Sequence, residues 1–275
     1  TTTTSLLAAI FSKTKLDPTI INGGVINELN NSAKLGKSDW CILEADESDG
    51  SFIHVPTTYS IVTNIDREHM DFYKSMSDLK NLFVEFINKV PSFGKSFICI
   101  DDKNNLELTK KIKIKNYYTY GTNPKSQFYI KNIKQEKEFS EYDLSITLPG
   151  KKDISINKIK IPLLGIHNIR NATAAAAVAS TIGISKKVIK KGLKEFKGVQ
   201  RRFNKIFTYR ETSFYDDYAH HPTEIKEVLN GVRSAYKKNE IICIFQPHRI
   251  SRLKDLKKEF SLSFRKADTV ILCPV

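Results

Sequence analysis

The chain alternates between short apolar runs and longer segments with helical periodicity. Short runs rich in β-branched and aromatic residues predict strands at 40–43, 59–63, 96–100, 214–216, 241–245 and Thr269–Leu272. Apolar residues recurring every three or four positions predict helices at 76–90, 170–182, 185–196, 223–236 and 253–265. Because strands and helices alternate along the chain, we predict an α/β fold in which helices cover parallel sheets.

One segment departs from this alternation. Between residues 117 and 161, apolar and polar positions alternate without a helical period, and Pro149 and Gly150 form a typical turn pair. This pattern predicts antiparallel hairpins that form a small side sheet.

A domain boundary is predicted close to Gly198. The helical pattern ends at Phe196, and a new strand, helix, strand pattern begins after the basic pair Arg201 and Arg202. We therefore expect a first domain at 1–198 and a second at 199–275. The chain starts without methionine in what reads as a helix start and stops just after an apolar run, so we expect it to be a fragment.

Composition restricts the class of protein. With 40% hydrophobic and 27% charged residues, the 275-residue chain is expected to fold as a globular protein. The net charge of +14 leaves a basic nucleic-acid-binding α/β module open as an alternative. Its lysines are scattered over several segments, so we expect neither nucleic acid nor membrane as a partner. Four widely separated cysteines give no zinc or disulfide pattern, which favours a cytoplasmic location.

The first five residues, Thr1 to Ser5, place hydroxyl groups in the first turn of an apolar helix. Simple helix capping explains such a turn. Alternatively, the turn is the end of a phosphate-binding loop in which the Thr1 hydroxyl binds Mg²⁺ and helix amides face phosphates.

Acidic residues crowd the end of the strand at 40–43. Glu44, Asp46, Glu47 and Asp49 lie within six positions, where ligands bind in open α/β sheets. Their mutual repulsion favours a Mg²⁺ ion among them, although a solvated acidic turn would have the same sequence. The next strand also ends in polar residues that include His69, which favours one metal and phosphate site.

Three further polar groups fit a nucleotide site. Asn168 and Asn171 lie on one side of the alanine-rich helix, where amides bond a base or sugar, although Asn168 could simply cap the helix. Arg202 lies at the predicted domain joint, from which a guanidinium could reach a phosphoryl group.

Two polar segments of the predicted second domain follow strands. The segment at 216–223 joins a strand to a helix, and Pro222 is suited to the helix start. The segment at 246–252 carries Arg249 and Arg252, whose spacing suits a carboxylate ligand. Together they predict a polar rim on one sheet edge.

The combination of these motifs resembles the Mur ligases. TTTT continues that family's GKTTTT loop, and EADESD, TNI with a following HMD, HN and NA, RRF, DDYAHHPTE and FQPHR occur in the family's order. The resemblance implies a central P-loop-type ATPase domain with a parallel sheet and a small antiparallel side sheet, followed by a partial Rossmann-like domain. A preceding domain for the UDP group is then missing, and Gly-Lys is expected directly before Thr1. Without that lysine, we expect the fragment alone to be inactive.

The activity that the resemblance implies is ATP-dependent amide ligation in peptidoglycan synthesis. The form EADESDGSF is most similar to family members that join L-alanine to the carboxylate of UDP-N-acetylmuramate through an acyl phosphate. A related ligase that adds another amino acid or a recycled peptide is the alternative.

The resemblance also implies roles for individual residues, with ATP and Mg²⁺ as cofactors. By motif position, the catalytic residues are Glu44, His69 and Arg202, and the metal ligands are Thr1, Glu44 and His69. The implied nucleotide-binding residues are Thr1, Thr2, Asn168, Asn171, Arg202 and Asp217. The implied substrate-binding residues are Tyr218, His220, His248, Arg249 and Arg252.

Overall fold

A computed structural model describes residues 1–274; Val275, the last residue of the predicted second domain, lies outside the described residues. No helix among residues 1–274 combines the length and apolar character needed to cross a bilayer. Residues 1–198 are called the first region below, and residues 199–274 the second region. The strands of the first region are β1 (Thr19–Ile26), β2 (Asn31–Lys34), β3 (Cys41–Leu43), β4 (Tyr59–Val62), β5 (Lys95–Cys99), β6 (Tyr117–Gly121), β7 (Phe128–Gln135), β8 (Ser140–Ile146) and β9 (Ile154–Ile161). Its helices are α1 (Thr2–Phe11), α2 (Met76–Asn88), α3 (Lys103–Leu108), α4 (Ile166–Thr181) and α5 (Lys186–Lys194).

The second region contains two pairs of strands and three helices. Its elements are β10 (Asn204–Tyr209), β11 (Thr212–Asp216), α6 (Pro222–Ala235), β12 (Ile242–Phe245), α7 (Ile250–Asp255), α8 (Lys257–Ser263) and β13 (Thr269–Leu272). The helix predicted at 253–265 is therefore two short helices. The break lies at Leu256, whose backbone leaves the helical conformation while its side chain is buried.

A six-stranded sheet in the order β4-β5-β6-β7-β8-β9 forms the centre of the first region. Strands β4 to β7 are parallel, and β7 to β9 are antiparallel. The hairpins predicted within 117–161 are present, but they continue the parallel sheet instead of standing apart, because Tyr120 pairs with Phe128 across β6 and β7. Both side chains are fully buried in one core, so the apolar face runs across the join.

Helices cover both faces of this sheet. On one face, the alanines of α4 are fully buried, and their small side chains allow α1 and α5 to pack closely. Gly192 of α5 is essential to that packing, because a Cβ there would lie 2.6 Å from the Cα of Ile10 in α1. On the other face, α2 and α3 cover a second cluster that includes Ile98 and Leu108.

A separate sheet in the order β2-β1-β3 carries the acidic segment. Strand β3 pairs in parallel with β1, and the amide of Glu44 extends the pairing by donating to Ile21 O at 2.9 Å. The side chain of Glu44 thus begins where the hydrogen-bonded strand ends.

The second region is connected to the first through backbone and close packing. Val199 forms an antiparallel bridge with Ile26, and its side chain is buried in the first region's core. Helix α6 approaches the start of α4 so closely that a Cβ on Gly231 would lie 2.9 Å from the Cα of Gly165. The second half of α6 is therefore held near the amino end of α4.

Candidate functional site

A cavity of about 1260 Å³ opens beside the carboxyl ends of β3 and β4, the first turns of α1 and α4, and the second region. Trp40 forms part of its apolar wall, with its ring stacked 6.0 Å from Tyr59 and edge-on 5.6 Å from Phe11. Seven of the predicted site residues line this cavity: Thr1, Thr2, Glu44, Asn168, Asn171, Arg202 and Asp217.

Thr1 and Glu44 form the polar centre of this cavity. The Thr1 hydroxyl donates to Glu44 Oε1 at 2.7 Å, and Glu44 Oε2 accepts the Gly23 amide at 2.6 Å. Thr1 is the N-cap residue of α1, yet its side chain makes no capping hydrogen bond. The amides of the first turn are consequently free of a side-chain cap and available to an anion.

Glu44 accepts two hydrogen bonds that favour its ionised form. Burial acts to raise its pKa, and the hydrogen bonds from the Gly23 amide and the Thr1 hydroxyl act to lower it. A carboxylate beside a hydroxyl is a hard oxygen pair of the kind that Mg²⁺ prefers. That ion commonly takes one or two carboxylates and fills its remaining positions with water and substrate phosphates.

His69 lies in the loop after β4, with a left-handed backbone at φ 58°. It is not among the residues that line the cavity. Within residues 1–274, no three His, Cys, Asp or Glu side chains are grouped to hold a metal ion. Thr1 and Glu44 are paired, as two ligands of one ion would be. The complete set of predicted Mg²⁺ ligands, which includes His69, stays a prediction.

Arg202 reaches the same centre from the second region. Its Nη2 donates to the Thr1 hydroxyl at 3.4 Å, and its Nη1 lies 3.6 Å from Glu224 Oε1. The other oxygen of Glu224 accepts the amides of His220 and His221 at 2.9 and 3.1 Å. Glu224 therefore orients Arg202 while it caps α6.

The sequence interpretation missed Glu224, although a signal was present. His221 is the N-cap residue of α6 and Glu224 the third helical residue, which together form a capping box. That spacing is visible in His-Pro-Thr-Glu, so the residue could have been assigned a structural role from sequence.

The two asparagines lie at the start of α4. Gly165 is the N-cap residue, so Asn168 does not cap the helix; its amide donates to Leu164 O at 2.7 Å. The Asn171 amide lies 3.5 Å from the Asn168 side-chain oxygen. Burial lowers the pKa of the neighbouring His167 to about 4, so this ring is neutral near pH 7. Amides and a neutral imidazole suit an uncharged heterocycle better than a phosphate.

Asp217 is half-buried where two loops of the second region meet. Its two carboxylate oxygens accept the amides of Phe203 and Ala219, each at 2.7 Å. Burial raises its pKa, although those hydrogen bonds act in the other direction. Both oxygens therefore hold the backbone that carries Arg202 and Tyr218, and a contact with ribose stays a prediction.

The predicted substrate-binding residues lie outside the cavity lining, in two groups. Tyr218, His220 and Arg252 form a cluster in which the Tyr218 and His220 rings are 4.9 Å apart and Arg252 pairs with Glu68. His248 and Arg249 are exposed on the loop before α7. Only the first group is brought near the cavity, since Glu68 itself lines it.

Family models cover most of the chain. Residues 1–179 match the model described as the Mur ligase middle domain. Residues 201–274 match the model described as the Mur ligase glutamate ligase domain.

Curated relatives extend the match over the full chain. The UDP-N-acetylmuramate–L-alanine ligase of Pelagibacter ubique (strain HTCC1062) is 84% identical over 275 residues, which are 100% of this chain and 59% of that protein. The ligase of the same name from Caulobacter vibrioides (strain NA1000 / CB15N) is 42% identical over 100% of this chain and 58% of its own length. The chain thus spans about three fifths of these relatives.

Solved structures confirm the predicted α/β fold. The UDP-N-acetylmuramate–alanine ligase of Thermotoga maritima matches with a TM-score of 0.81 and 25% identity, over 100% of this chain and 59% of that one. A MurF ligase from Thermotoga maritima in complex with ADP matches with a TM-score of 0.78 over 98% of this chain and 63% of that one; at 16% identity this likeness concerns the fold alone.

Proposed function

Because the chain belongs to the Mur ligase family, we propose that it is the nucleotide- and amino-acid-binding part of an ATP-dependent ligase. The reaction is the joining of L-alanine to the carboxylate of UDP-N-acetylmuramate, and the 84% identity to a ligase of that name supports this choice. The activity belongs to a longer protein, since the chain spans 59% of that relative. We propose residues 1–198 as the ATP-binding domain and 199–275 as part of the amino-acid-binding domain.

The observation that carries this proposal is the convergence of three groups on the first turn of α1. Thr1 bonds Glu44 at 2.7 Å, and Arg202 of the second region lies 3.4 Å from the Thr1 hydroxyl. A hydroxyl, a carboxylate, a guanidinium and free helix amides suit a nucleotide's terminal phosphates together with a divalent cation.

Bound Mg²⁺ would neutralise charge on the phosphates during acyl-phosphate formation, as metal ions do in phosphoryl transfer generally. Thr1 and Glu44 would hold that ion, with His69 as the third proposed ligand. The guanidinium of Arg202, held by Glu224, would stabilise the charge on the transferring phosphoryl group. Glu44, His69 and Arg202 are therefore the proposed catalytic residues.

The remainder of the nucleotide is assigned to the start of α4 and to the joint between regions. Asn168 and Asn171 would bond the base or sugar beside the neutral His167. Thr2 would contribute its backbone amide to the phosphates. Asp217 would act on the ribose side while its carboxylate holds the loop carrying Arg202.

L-Alanine is assigned to the second region. Tyr218, His220 and Arg252 form a cluster next to the cavity, and Arg252 is a buried guanidinium suited to an amino acid's carboxylate. We propose that His248 and Arg249, which are exposed in this arrangement, complete the site.

A hybrid enzyme would test the assignment. We would place these 275 residues in the Pelagibacter ubique ligase in exchange for its own matching segment and measure phosphate release from ATP. Release is expected to require both UDP-N-acetylmuramate and L-alanine. Glu44→Gln should lower kcat by a factor of about 10² or more, since electrostatic groups at a reacting centre have effects of that size.

Glu107→Gln provides the matched control, because Glu107 forms an ion pair with Lys80 away from the cavity. It should leave kcat unchanged. Phosphate release with another amino acid or with a peptide in place of L-alanine would instead favour the related ligases, and no release with any acceptor would reject the assignment.

A further inference from the structure

Three consecutive residues of the first region, Asp66, Arg67 and Glu68, contact the second region; we call them the contact loop. Thr223 of α6 donates its hydroxyl hydrogen to Asp66 Oδ2 at 2.5 Å. The His221 ring lies 3.4 Å from Arg67 O. The loop is therefore docked on the start of α6 by contacts that do not involve Glu68.

Glu68 contacts the second region in a different way, through its charge. Its Oε1 pairs with Arg252 Nη2 and lies 3.7 Å from His220 Nε2. The Arg252 side chain is only 8% exposed and that of Glu68 22% exposed. A guanidinium so far from water needs a negatively charged partner, since an unpaired buried charge is strongly destabilising. In this arrangement, the partner is a carboxylate supplied by the chain itself.

The location of Glu68 makes that carboxylate exchangeable. Glu68 lines the main cavity, whereas Arg252 and His220 do not. A small ligand in the cavity therefore meets Glu68 first and gains access to Arg252 only after Glu68 has moved away. Replacing one carboxylate by another keeps the charge balance around Arg252, so the exchange leaves no buried charge without a partner.

We propose that Glu68 is an internal stand-in for the amino acid's carboxylate, which occupies the Arg252 and His220 site until an incoming α-amino acid displaces it. This inference rests on the proposed assignment of these two residues to the amino-acid site. Glu68 is a positioning residue in this role: it keeps Arg252 ordered and lowers the affinity for any competing carboxylate.

Displacement also connects ligand binding to the contact between the regions. When Glu68 leaves Arg252, the contacts of Glu68 with the second region are lost, while those of Asp66 and Arg67 hold the loop on α6. In a variant without the Glu68 charge, the contact loop should therefore remain docked on α6, and the site at Arg252 and His220 should be open to an anion.

The test is a titration of the 275-residue chain with acetate and with L-alanine, followed by NMR chemical shifts or calorimetry. Glu68→Gln is expected to tighten acetate binding by about tenfold or more, since the competing interaction is a charged hydrogen bond. Glu107→Gln is the matched control and should bind acetate as the original chain does. Arg252→Met should abolish acetate binding both in the original chain and in the Glu68→Gln variant.

Equal acetate affinity in the original chain and in Glu68→Gln would overturn the proposal. Should Glu68→Gln fail to fold, Glu68→Asp can replace it, because aspartate keeps the charge but has a shorter side chain. Glu68→Asp is expected to bind acetate with an affinity between those of the original chain and an open site. An acetate affinity equal to that of the original chain would count against displacement.

The acetate and L-alanine titrations separate this proposal from the proposed function. If acetate binds more tightly to Glu68→Gln but the chain shows no preference for L-alanine over D-alanine or glycine, the result would support displacement of Glu68 and contradict the assignment to L-alanine. In the hybrid ligase, Glu68→Gln should lower the KM for L-alanine and leave the KM for ATP unchanged, a separation that a general loss of structure would not produce.

Discussion

The two regions of this molecule use the same kinds of elements but bury them differently. In the first region, helices cover both faces of the central sheet, and side chains such as Ile98 and Ile159 are fully buried. In the second, helices α6 and α8 cover one face of the β12–β13 pair, while Ile244 and Leu272 on these strands are 65% and 66% exposed. Because apolar burial is the main stabilising contribution to a fold, the first region should be the more stable of the two.

The largest expected effect comes from removing the same atoms in both regions. Ile98→Ala should lower the free energy of unfolding by about 2–5 kcal/mol, because it leaves a cavity in a packed core. Ile244→Ala should change it by about 0.5 kcal/mol or less, because that side chain is largely in water already.

Urea unfolding followed by circular dichroism measures both changes. Equal losses for the two variants would show that the outer face of β12 is covered in solution, and the contrast between the regions would then have to be abandoned.

A smaller effect is expected from the ion pairs of the two regions. Asp101 accepts hydrogen bonds from Thr122, Asn123 and Arg170, and its side chain is 6% exposed. Asp268 accepts from Arg233 and from the Ile241 amide but is 48% exposed. Asp101→Asn should cost about 2–3 kcal/mol of stability through its charged hydrogen bonds, and Asp268→Asn should cost less.

The effect of Asp101→Asn should depend on pH in a defined direction. Burial acts to raise the pKa of Asp101, but the bonds from Thr122 and Arg170 outweigh it and hold the pKa below the ordinary value of 3.8. A carboxyl with a lowered pKa in the folded state stabilises the fold fully above that ordinary value and loses its contribution as the pH falls through the lowered value. Denaturant unfolding should therefore show a constant difference from pH 7 to about 4, and a narrowing one below; a difference that widens in acid would contradict this.

The smallest expected effect concerns local opening of the two regions. Cys99 is buried in the first region, and burial raises its thiol pKa to about 11. Cys243 is half-buried in the second region, and burial raises its pKa as well. In a variant with serine at positions 41 and 273, Cys243 should react with a thiol reagent at a lower urea concentration than Cys99. Simultaneous reaction of both thiols would indicate that the two regions unfold as one cooperative unit.

Much of the fold was predictable because it follows from local patterns. Short apolar runs located β4 and β5, and helical spacing located α2 and α5, to within a few residues. The continuation of the parallel sheet into the hairpins was not predictable, since the pairing of Tyr120 with Phe128 depends on register between separate strands. The break at Leu256 likewise depends on tertiary burial of one side chain.

The candidate site, like the fold, could be predicted from sequence only in part. A hydroxyl-rich helix start, an acidic strand end and the predicted domain joint pointed to Thr1, Glu44 and Arg202, and the structure brings these three residues together. Glu68 was passed over because its neighbour His69 carries the more recognisable chemistry, and its importance depends on Arg252, 184 positions away. Partners so distant in sequence cannot be matched from spacing alone.

The single tryptophan of the chain stands in the cavity wall between Phe11 and Tyr59. Indole emission shifts in colour and intensity with the polarity of its surroundings, so the molecule carries a built-in optical reporter. Occupancy of the cavity can thus be followed by intrinsic fluorescence, without attaching a dye to any of the four thiols.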